Sequence, residues 1–364
     1  MRRRGTSVTF VVMAGGRGDR LWPLVRERNP KVCLSPDGTH SLLRATVDRL
    51  RPVWPHAKWL IVTTAGQAES VRANLPPSLR SAVLVEPQIK NTAACITLSA
   101  VALAIRNPHE VMVVVPADHW VSDAASFQRA VRAAIRAAVA HDTIAMIGIA
   151  PTHPHPGLGY LCAETPLEGF HQPRVFRLAH FIEKPSRAKA RQLLKRPRTY
   201  WNSGMFIATA DRFLEGLTEW LPDHTRWLAP LANGLHRHPK RTNRSFARRV
   251  EAAYRRLKAV SFDHGVMDHV QDGVVVEGEF SWADLGSWDT WAILGRAKAR
   301  TITVDSERIT VVGQGRHLVA AIGVKDLLVV HTPTATLICP PDRAQDVREI
   351  VRRLATDPAL APYR

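Results

Sequence analysis

Residues 8–24, VTFVVMAGGRGDRLWPL, constrain the fold of this chain more than any other stretch. The first six are apolar apart from Thr9 and show no polar alternation, which is typical of a central strand covered on both faces. The glycines that follow lack a Cβ, so backbone N–H groups can approach phosphate oxygens, and the arginines add positive charge. The residues of this candidate phosphate-binding loop are Ala14, Gly15, Gly16, Arg17, Gly18 and Arg20. An ordinary glycine turn explains the glycines equally well, and the spacing matches neither the dinucleotide-binding fingerprint nor the P-loop.

Length and composition indicate an ordinary globular protein. At 364 residues the chain can form one large domain and a smaller one, and its 45% hydrophobic residues exclude a disordered chain. No apolar run approaches the ~18 residues of a membrane span, so we expect a cytoplasmic protein with no membrane partner. The cysteines match no metal or redox spacing, which predicts buried free thiols. They are Cys33, Cys95, Cys162 and Cys339.

The net charge of +18 by itself would suit a nucleic-acid partner. Basic residues concentrate at 187–198 and 236–258. Neither segment alternates aromatic and basic residues as single-strand binders do, and neither carries a zinc-finger, homeodomain or RRM signature. Solvated helix faces and loops are the favoured interpretation, so we expect no nucleic-acid partner.

Strands and helices alternate over the first 150 residues. Further strands are predicted at 59–64, 82–86, 111–115 and 143–149, and helices at 41–50, at 92–106 and after Asp123. Asp123 is a predicted N-cap, and residues 92–106 are apolar on nearly every side, as in a buried helix. The alternation predicts an α/β fold with a parallel, doubly wound sheet whose ligands bind beyond the carboxyl ends of the strands. The glycine loop and Asp118 both lie at such ends.

The second half is less regular. In the Pro/Gly/His loop 151–160, His153 and His155 could form a metal pair, although polar loop residues are the favoured interpretation. From about residue 300 the chain changes to short β-like runs, at 301–304, 309–312, 318–322 and 327–330. A final helix carries Val347, Ile350, Val351 and Leu354 on one face. We therefore predict a catalytic domain at 1–298 and a small β-rich C-terminal region at 299–364.

The glycine loop resembles the signature G-G-x-G-[ST]-R-L-x-P-L of sugar-nucleotide pyrophosphorylases, with Asp19 where Ser or Thr is usual. Arg26, Pro30 and Lys31 resemble the R-x-x-x-P-K segment of mannose-1-phosphate guanylyltransferases. Further segments resembling this family are EPQIKNTA (86–93), GLGY (157–160), FIEKP (181–185), YWNSGMFI (200–207), SFDHGVMD (261–268) and FSWADLGSW (280–288). The resemblance implies a Rossmann-like, doubly wound nucleotidyltransferase domain of the GT-A-like type with a small β-rich C-terminal region.

The resemblance also implies a role for each matching residue. Arg20 and Lys31 would grip the β- and γ-phosphates of GTP and stabilise leaving pyrophosphate, and Lys184 would hold the sugar phosphate. The nucleotide-binding positions would be Ala14, Gly15, Gly16, Gly18, Gln88, Asn91 and Pro116. The sugar-hydroxyl positions would be Gly159, Glu183 and Asn202. Local alternatives are a solvated charge for a lone lysine, a helix cap for Asn91 and an ion pair for Glu183.

Magnesium is the implied cofactor. It prefers hard oxygen ligands and usually takes one or two carboxylates, with phosphate oxygens and water completing the octahedron. Asp118 and Asp284 are the two candidates, although a helix or turn cap is an equally good local explanation for Asp118. Trp201 and Trp282 are predicted to pack in the core rather than to stack on a base.

The favoured function is the joining of GTP and a sugar 1-phosphate, with mannose 1-phosphate first, to give a GDP-sugar and pyrophosphate. A different hexose 1-phosphate or a cyclitol phosphate is the alternative acceptor. From another class comes a non-catalytic regulatory subunit that binds sugar nucleotide, although the retained cations and carboxylates argue against it. The C-terminal region is expected either to form the contact of a homodimer or to pack on the catalytic domain.

Overall fold

The computed structural model describes residues 6–36, 38–232, 234, 244–293, 300–313 and 317–364. Its strands are β1 (Val8–Met13), β2 (Lys58–Thr64), β3 (Val83–Glu86), β4 (Val111–Pro116), β5 (His119–Val121), β6 (Ala145–Ile149), β7 (Tyr160–Pro166), β8 (Val175–Ile182), β9 (Thr199–Thr209), β10 (Val274–Gly278), β11 (Trp282–Asp284), β12 (Arg300–Val304), β13 (Glu307–Gly313), β14 (Leu318–Ile322), β15 (Lys325–His331) and β16 (Thr336–Cys339). Its α-helices are α1 (Leu42–Leu50), α2 (Ala68–Ala73), α3 (Asn91–Ala104), α4 (Ala124–His141), α5 (Arg187–Leu194), α6 (Ala210–Trp220), α7 (Pro222–Leu228), α8 (Arg244–Arg256), α9 (Trp288–Ile293) and α10 (Val347–Thr356). None of the described helices is both long and apolar enough to cross a membrane.

The central sheet has the strand order β3-β2-β1-β4-β9-β6-β10-β8-β7 among the described residues. β1 pairs in parallel with β2 and β4, and β2 pairs in parallel with β3, as the sequence predicts. β9 comes from the second half of the chain and inserts antiparallel between β4 and β6, which the sequence did not predict. Because β9 runs opposite to β4, its first residues lie beside the carboxyl end of β4.

Helices cover both faces of this sheet. One apolar cluster packs α1 and α4 against one face of β1, through Phe10 and Val12, and a second cluster packs α3 and α6 against the other face, through Val11. This confirms the doubly wound α/β fold. The outer side of α3 packs against α8, which explains why α3 is apolar on nearly every side. Asp123 caps α4 as predicted, since its Oδ1 accepts hydrogen bonds from the N–H groups of Ala125 and Ser126.

The C-terminal part is built from short strands and one helix. β12 pairs with β14, and β13 pairs with β15, both in parallel. All four predicted β-like runs lie in these strands, and α10 is the predicted final helix. The additional strand β16, antiparallel to β15, was not predicted from the sequence. The proposed boundary between residues 298 and 299 lies outside the described residues.

The predictions of buried free thiols and of solvated basic segments are each confirmed in part. Cys95 and Cys162 are buried free thiols, whereas Cys33 and Cys339 are half-buried. The basic residues of 187–198 are exposed on or just after α5, as solvated helix faces would be. Part of the second basic segment, 236–258, lies outside the described residues.

Candidate active site

The glycine loop forms one wall of a cleft at the carboxyl ends of β1 and β4. Gly18 has a φ of 68°, a backbone conformation that favours glycine. A Cβ at this position would lie 3.0 Å from Cβ of Lys31. Gly18 therefore lets the loop approach Lys31, which begins a 3-10 turn at Lys31–Cys33 directly after Pro30.

Lys31 joins the two predicted metal ligands. Its Nζ lies 2.6 Å from Oδ2 of Asp118 and 3.1 Å from Oδ1 of Asp284. Asp118 follows β4, and β11 pairs with β5 so that Asp284 lies opposite His119. These pairings bring together three groups that lie far apart in the chain.

The electrostatics of this cluster favour ionised side chains. Burial alone would lower the pKa of Lys31, but Asp118 and Asp284 together raise it above its ordinary value. Burial likewise disfavours the charged form of Asp284, yet the ammonium of Lys31 holds the pKa of that carboxyl well below its usual range. The ammonium and the Asp284 carboxylate are thus both charged at neutral pH.

Arg20 reaches the same cluster. A Cβ at Gly286 would lie 2.8 Å from Nη2 of Arg20 and 3.2 Å from either carboxylate oxygen of Asp284. A residue larger than glycine at 286 would therefore push the guanidinium away from the carboxylate. Nη1 of Arg20 donates a hydrogen bond to Oε1 of Gln345, at 3.1 Å.

His119 also belongs to this cluster, although the sequence analysis assigned it no role. Its Nδ1 accepts a hydrogen bond from Nε1 of Trp282 at 3.2 Å, and its Nε2 lies 3.9 Å from Oδ1 of Asp118. Burial lowers the pKa of His119, so the ring is neutral and carries its proton on Nε2. Trp282 therefore positions His119 while also packing against the core.

A cavity of about 460 Å³ opens beside these side chains. Nine predicted site residues line it: Gly15, Gly16, Gly18, Arg20, Lys31, Asn91, Pro116, Asp118 and Asp284. Among the described residues, its lining does not include Ala14, which is fully buried under the loop, or Gln88. Asn91 is the first residue of α3, has a φ of 66°, and accepts a hydrogen bond from the N–H of Thr92.

Glu86 is the third carboxylate, besides Asp118 and Asp284, among the described residues that line this cavity. It is buried, and its Oε1 accepts a hydrogen bond from the hydroxyl of Tyr254 at 3.0 Å. Burial raises the pKa of Glu86 to about 7. Glu86 belongs to the EPQIKNTA segment, in which the sequence analysis assigned nucleotide binding to Gln88. No local signal in the sequence tells which of these two side chains faces the cavity.

The four predicted sugar-side residues form a second group. A Cβ at Gly159 would lie 2.7 Å from Oε2 of Glu183, and the N–H of Asn202 donates to the carbonyl of Gly159 at 2.8 Å. Lys184 pairs with Oε1 of Glu183 and points into solvent. Asn202 is buried within β9.

Asp263 belongs to this group, although it was not assigned a role from the sequence. Nδ2 of Asn202 donates a hydrogen bond to Oδ1 of Asp263 at 2.7 Å, and Oδ1 of Asn202 accepts one from the N–H of Gly204. Burial, with the nearby Glu183 carboxylate, raises the pKa of Asp263 to about 6. The signal in the sequence was the SFD segment itself, where an aspartate follows an apolar residue.

Gly204 connects the two groups. A Cβ there would lie 3.6 Å from Cγ of Pro116 and 3.9 Å from Cε1 of His119. The antiparallel pairing of β9 with β4 thus sets the sugar-side residues next to the Asp118 cluster. His153 and His155 stand apart, in ring contact with Trp201, which is the packing role predicted for that tryptophan.

Comparisons with known proteins match this arrangement over nearly the whole chain. The family model described as Nucleotidyl transferase matches residues 9–297, and the one described as MannoseP isomerase/GMP-like beta-helix domain matches residues 299–354. The mannose-1-phosphate guanylyltransferase of Escherichia coli is 30% identical over 94% of this chain and 75% of its own length. This chain belongs to the mannose-1-phosphate guanylyltransferase family of nucleotidyl transferases.

Other members of the family and their structural neighbours agree. The Xanthan biosynthesis protein XanB of Xanthomonas campestris pv. campestris (strain B100) is 33% identical over 96% of this chain and 73% of its own length. The crystal structure described as mannose-1-phosphate geranyltransferase from Thermus thermophilus has a TM-score of 0.80 and 31% identity, covering 96% of this chain and all of that chain. A UDP-glucose pyrophosphorylase bound to UDP-glucose, with a TM-score of 0.52 and 15% identity over 80% of this chain and 98% of its own, shares the fold alone.

The carboxylates of this guanylyltransferase-family chain fit a divalent metal. Asp118 and Asp284 both line the cavity, and each contacts Lys31 through one oxygen, Oδ2 of Asp118 and Oδ1 of Asp284, so each carboxylate has a second oxygen besides the one that contacts the ammonium. The described residues contain no group of three or more histidine, cysteine, aspartate or glutamate side chains arranged to hold a metal ion. Two carboxylates, with the remaining positions left to phosphate oxygens and water, are the ligand set that Mg²⁺ takes in nucleotide enzymes.

Proposed function

We propose that this protein is a mannose-1-phosphate guanylyltransferase that makes GDP-mannose from GTP and mannose 1-phosphate. A phosphate oxygen of the sugar phosphate attacks the α-phosphorus of GTP. The new P–O bond forms as the bond from the α-phosphorus to the bridging oxygen breaks, and pyrophosphate leaves with the electron pair. No protein nucleophile is required, because both reacting groups come from the substrates.

One observation carries this proposal: Lys31 and Arg20 lie beside the same carboxylate, Asp284, on the wall of one cavity. Catalysis of such transfers depends on holding two polyanions together and neutralising the charge on the leaving group. Arg20 and Lys31 would bind the β- and γ-phosphates and stabilise departing pyrophosphate. The glycine loop would contribute backbone N–H groups from Gly15, Gly16 and Gly18.

The preference for guanine would rest on Glu86. Guanine presents two adjacent donors, N1–H and the N2 amine, and an ionised carboxylate is an acceptor-only partner for both. Uracil and thymine lack the amine, so they would leave this buried carboxylate under-satisfied. Asn91 and Pro116 would complete the base and ribose contacts, and a contact from Gln88 stays a prediction.

Mannose 1-phosphate would lie between Lys184 and the group formed by Gly159, Glu183 and Asn202. Lys184 would bind the sugar phosphate, and Glu183 would accept hydrogen bonds from sugar hydroxyls. Lys184 is solvent-exposed and paired with Glu183, and its flexible stem would carry the ammonium from this carboxylate to the anionic substrate. A different hexose 1-phosphate or a cyclitol phosphate is the competing acceptor.

Asp118 and Asp284 would hold Mg²⁺. When bound, the ion would neutralise phosphate charge and help to align the reacting phosphates. In this chain Lys31 keeps the Asp284 carboxylate ionised and Trp282 fixes the His119 ring beside Asp118. These contacts prepare the oxygens before substrate arrives.

We further propose that residues 1–298 are the catalytic domain and residues 299–364 a separate C-terminal unit, that the protein is cytoplasmic, and that it forms a homodimer. The division into two parts is supported by the composition change near residue 300 and by the two family models, which match residues 9–297 and 299–354. Gel filtration with light scattering would test the dimer.

The decisive experiment incubates purified protein with Mg²⁺ and each pairing of GTP, UTP or dTTP with mannose 1-phosphate, glucose 1-phosphate or a cyclitol phosphate. Pyrophosphate release is measured. GTP with mannose 1-phosphate should give the highest kcat/KM. Higher activity with UTP or dTTP would refute the base assignment, and absence of release from every pair would favour the non-catalytic regulatory subunit.

A further inference from the structure

The C-terminal unit is bound directly to the segment that carries Arg20. Nε1 of Trp22 donates to the carbonyl oxygen of Tyr363 at 2.8 Å, and Nη2 of Arg26 donates to Oγ1 of Thr334 at 2.5 Å. One apolar cluster contains residues of both parts. Its members include Leu21, Trp22, Leu24, Leu285 and Trp288 from the first part, with Val330, Leu337, Val347 and Leu354 from the second. The loop and the C-terminal unit therefore pack as one structure.

Gln345 extends this interface to the active-site arginine. It lies in the 3-10 helix Pro341–Asp346, which is anchored by the buried side chain of Ala344. Its Oε1 accepts a hydrogen bond from Nη1 of Arg20, whereas Nη2 of the same guanidinium lies beside Gly286. The two ends of the guanidinium are thus set by different parts of the chain.

The chemistry of glutamine suits this role. An arginine side chain has several rotatable bonds, so a bound orientation costs entropy unless the protein fixes it in advance. A carboxylate in place of Gln345 would fix the guanidinium but would also cancel its charge. The neutral amide oxygen orients the group without adding a second negative charge to that of Asp284.

We propose that Gln345 is a positioning residue for Arg20, so that the C-terminal unit completes the pyrophosphate-binding side of the active site. This rests on the role proposed above for Arg20. Loss of Gln345 leaves the Arg20 charge in place but not its orientation. The effect is therefore confined to the leaving pyrophosphate and does not extend to mannose 1-phosphate.

The test is a double-mutant cycle with Gln345→Ala and Arg20→Ala. The Kd for inorganic pyrophosphate is measured by calorimetry in the presence of Mg²⁺. The kcat and the KM values for GTP and mannose 1-phosphate are measured in parallel. Gln345→Ala should weaken pyrophosphate binding about 3- to 10-fold and leave KM for mannose 1-phosphate unchanged. In the Arg20→Ala background the same change should have almost no effect. Additive effects in the two backgrounds would overturn the proposal.

Thr334→Ala is the matched control. It removes a hydrogen bond from the same interface, but one to Arg26 instead of Arg20. The pyrophosphate Kd of Thr334→Ala should equal that of the unmodified protein. The melting temperatures of Thr334→Ala and Gln345→Ala should both lie within a few degrees of that of the unmodified protein. An equal loss of affinity in Thr334→Ala would show a general effect of the interface and refute a specific role for Gln345. Because pyrophosphate Kd needs no turnover, failure here is separable from failure of the proposed reaction.

Discussion

Lys31 and Asp284, which lie 253 positions apart in the chain, share a part-buried ion pair with an Nζ–Oδ1 distance of 3.1 Å. Asp118 contacts the same ammonium from the end of β4. Two carboxylates share this one ammonium, so removal of Lys31 leaves both without it, whereas removal of either carboxylate leaves the other paired with Lys31. This arrangement gives Lys31 a structural role besides the phosphate-binding role proposed above.

Replacement of Lys31 by Met should lower both stability and turnover. Lys31 is buried but the two carboxylates are partly exposed, so loss of the ammonium should cost about 1–3 kcal/mol in the free energy of unfolding, and the pKa of Asp284 should rise. Mg²⁺ should then raise the melting temperature of the variant more than that of the parent, because two unpaired carboxylates remain. Urea unfolding and thermal melts with and without Mg²⁺ measure this. Lys58→Met is the control: it unpairs the buried Glu110 outside the cleft and should leave kcat unchanged.

Asp284→Asn should nearly abolish turnover while the fold is kept. The amide has the same shape but no charge, and Lys31 stays paired with Asp118. We expect kcat to fall about 10²- to 10³-fold with an unchanged circular dichroism spectrum. Asp123→Ala, which only uncaps α4, should cost about 1 kcal/mol of stability and no activity. Normal kcat in Asp284→Asn would remove this residue from the proposed metal site.

Glu86→Gln should reduce base discrimination. The amide offers one acceptor and two donors where guanine needs acceptors, so kcat/KM for GTP should fall roughly 10-fold or more relative to UTP. Parallel kinetics with both triphosphates test this. If the ratio of kcat/KM for GTP to that for UTP were unchanged, Glu86 would not be the residue that recognises the base, and Gln88 or backbone groups would have that role.

The same variant should change how stability depends on pH. The pKa of Glu86 is raised from 4.5 to about 7 in the folded protein. Between these values the folded state binds more protons than the unfolded state, so Glu86 makes stability fall as pH rises from about 4.5 through 7. Glu86→Gln lacks this dependence, and its stability relative to the parent should rise by roughly 2–3 kcal/mol between pH 5 and pH 8. Urea titrations at the two pH values measure the difference, and a constant difference would contradict the burial of an ionisable carboxyl at this position.

Asp263→Ala should weaken binding of the sugar phosphate by releasing Asn202. Without the 2.7 Å hydrogen bond, the Asn202 amide loses the partner that orients it beside Gly159. KM for mannose 1-phosphate should rise about 3- to 10-fold, while KM for GTP stays the same. Asp268→Ala is the matched control, because Asp268 directly follows the short π-helix Asp263–Met267 and pairs with the exposed His264. Equal rises in both KM values, or a rise in the control, would contradict this role.

Much of the local structure was predictable from the sequence, because it depends on residues that are close neighbours in the chain. The strand that leads into the glycine loop, the cap at Asp123 and the buried character of α3 all follow from short-range pattern and propensity. The family resemblance rested on ordered motifs of the same kind, and the comparisons confirm it. Even so, the sequence could not distinguish Glu86 from Gln88 at the cavity, since both belong to one short segment and the side-chain direction depends on how that segment leaves β3.

Only the tertiary structure decided which distant residues meet. The insertion of β9 next to β4 sets Gly204 beside Pro116, and the pairing of β11 with β5 places Asp284 opposite His119. The contact between Gln345 and Arg20 depends on how the C-terminal unit packs on Trp22, which no local pattern encodes. Strand order and interdomain packing are set by the sum of many long-range contacts, so a charge cluster assembled through them cannot be read from spacing along the chain.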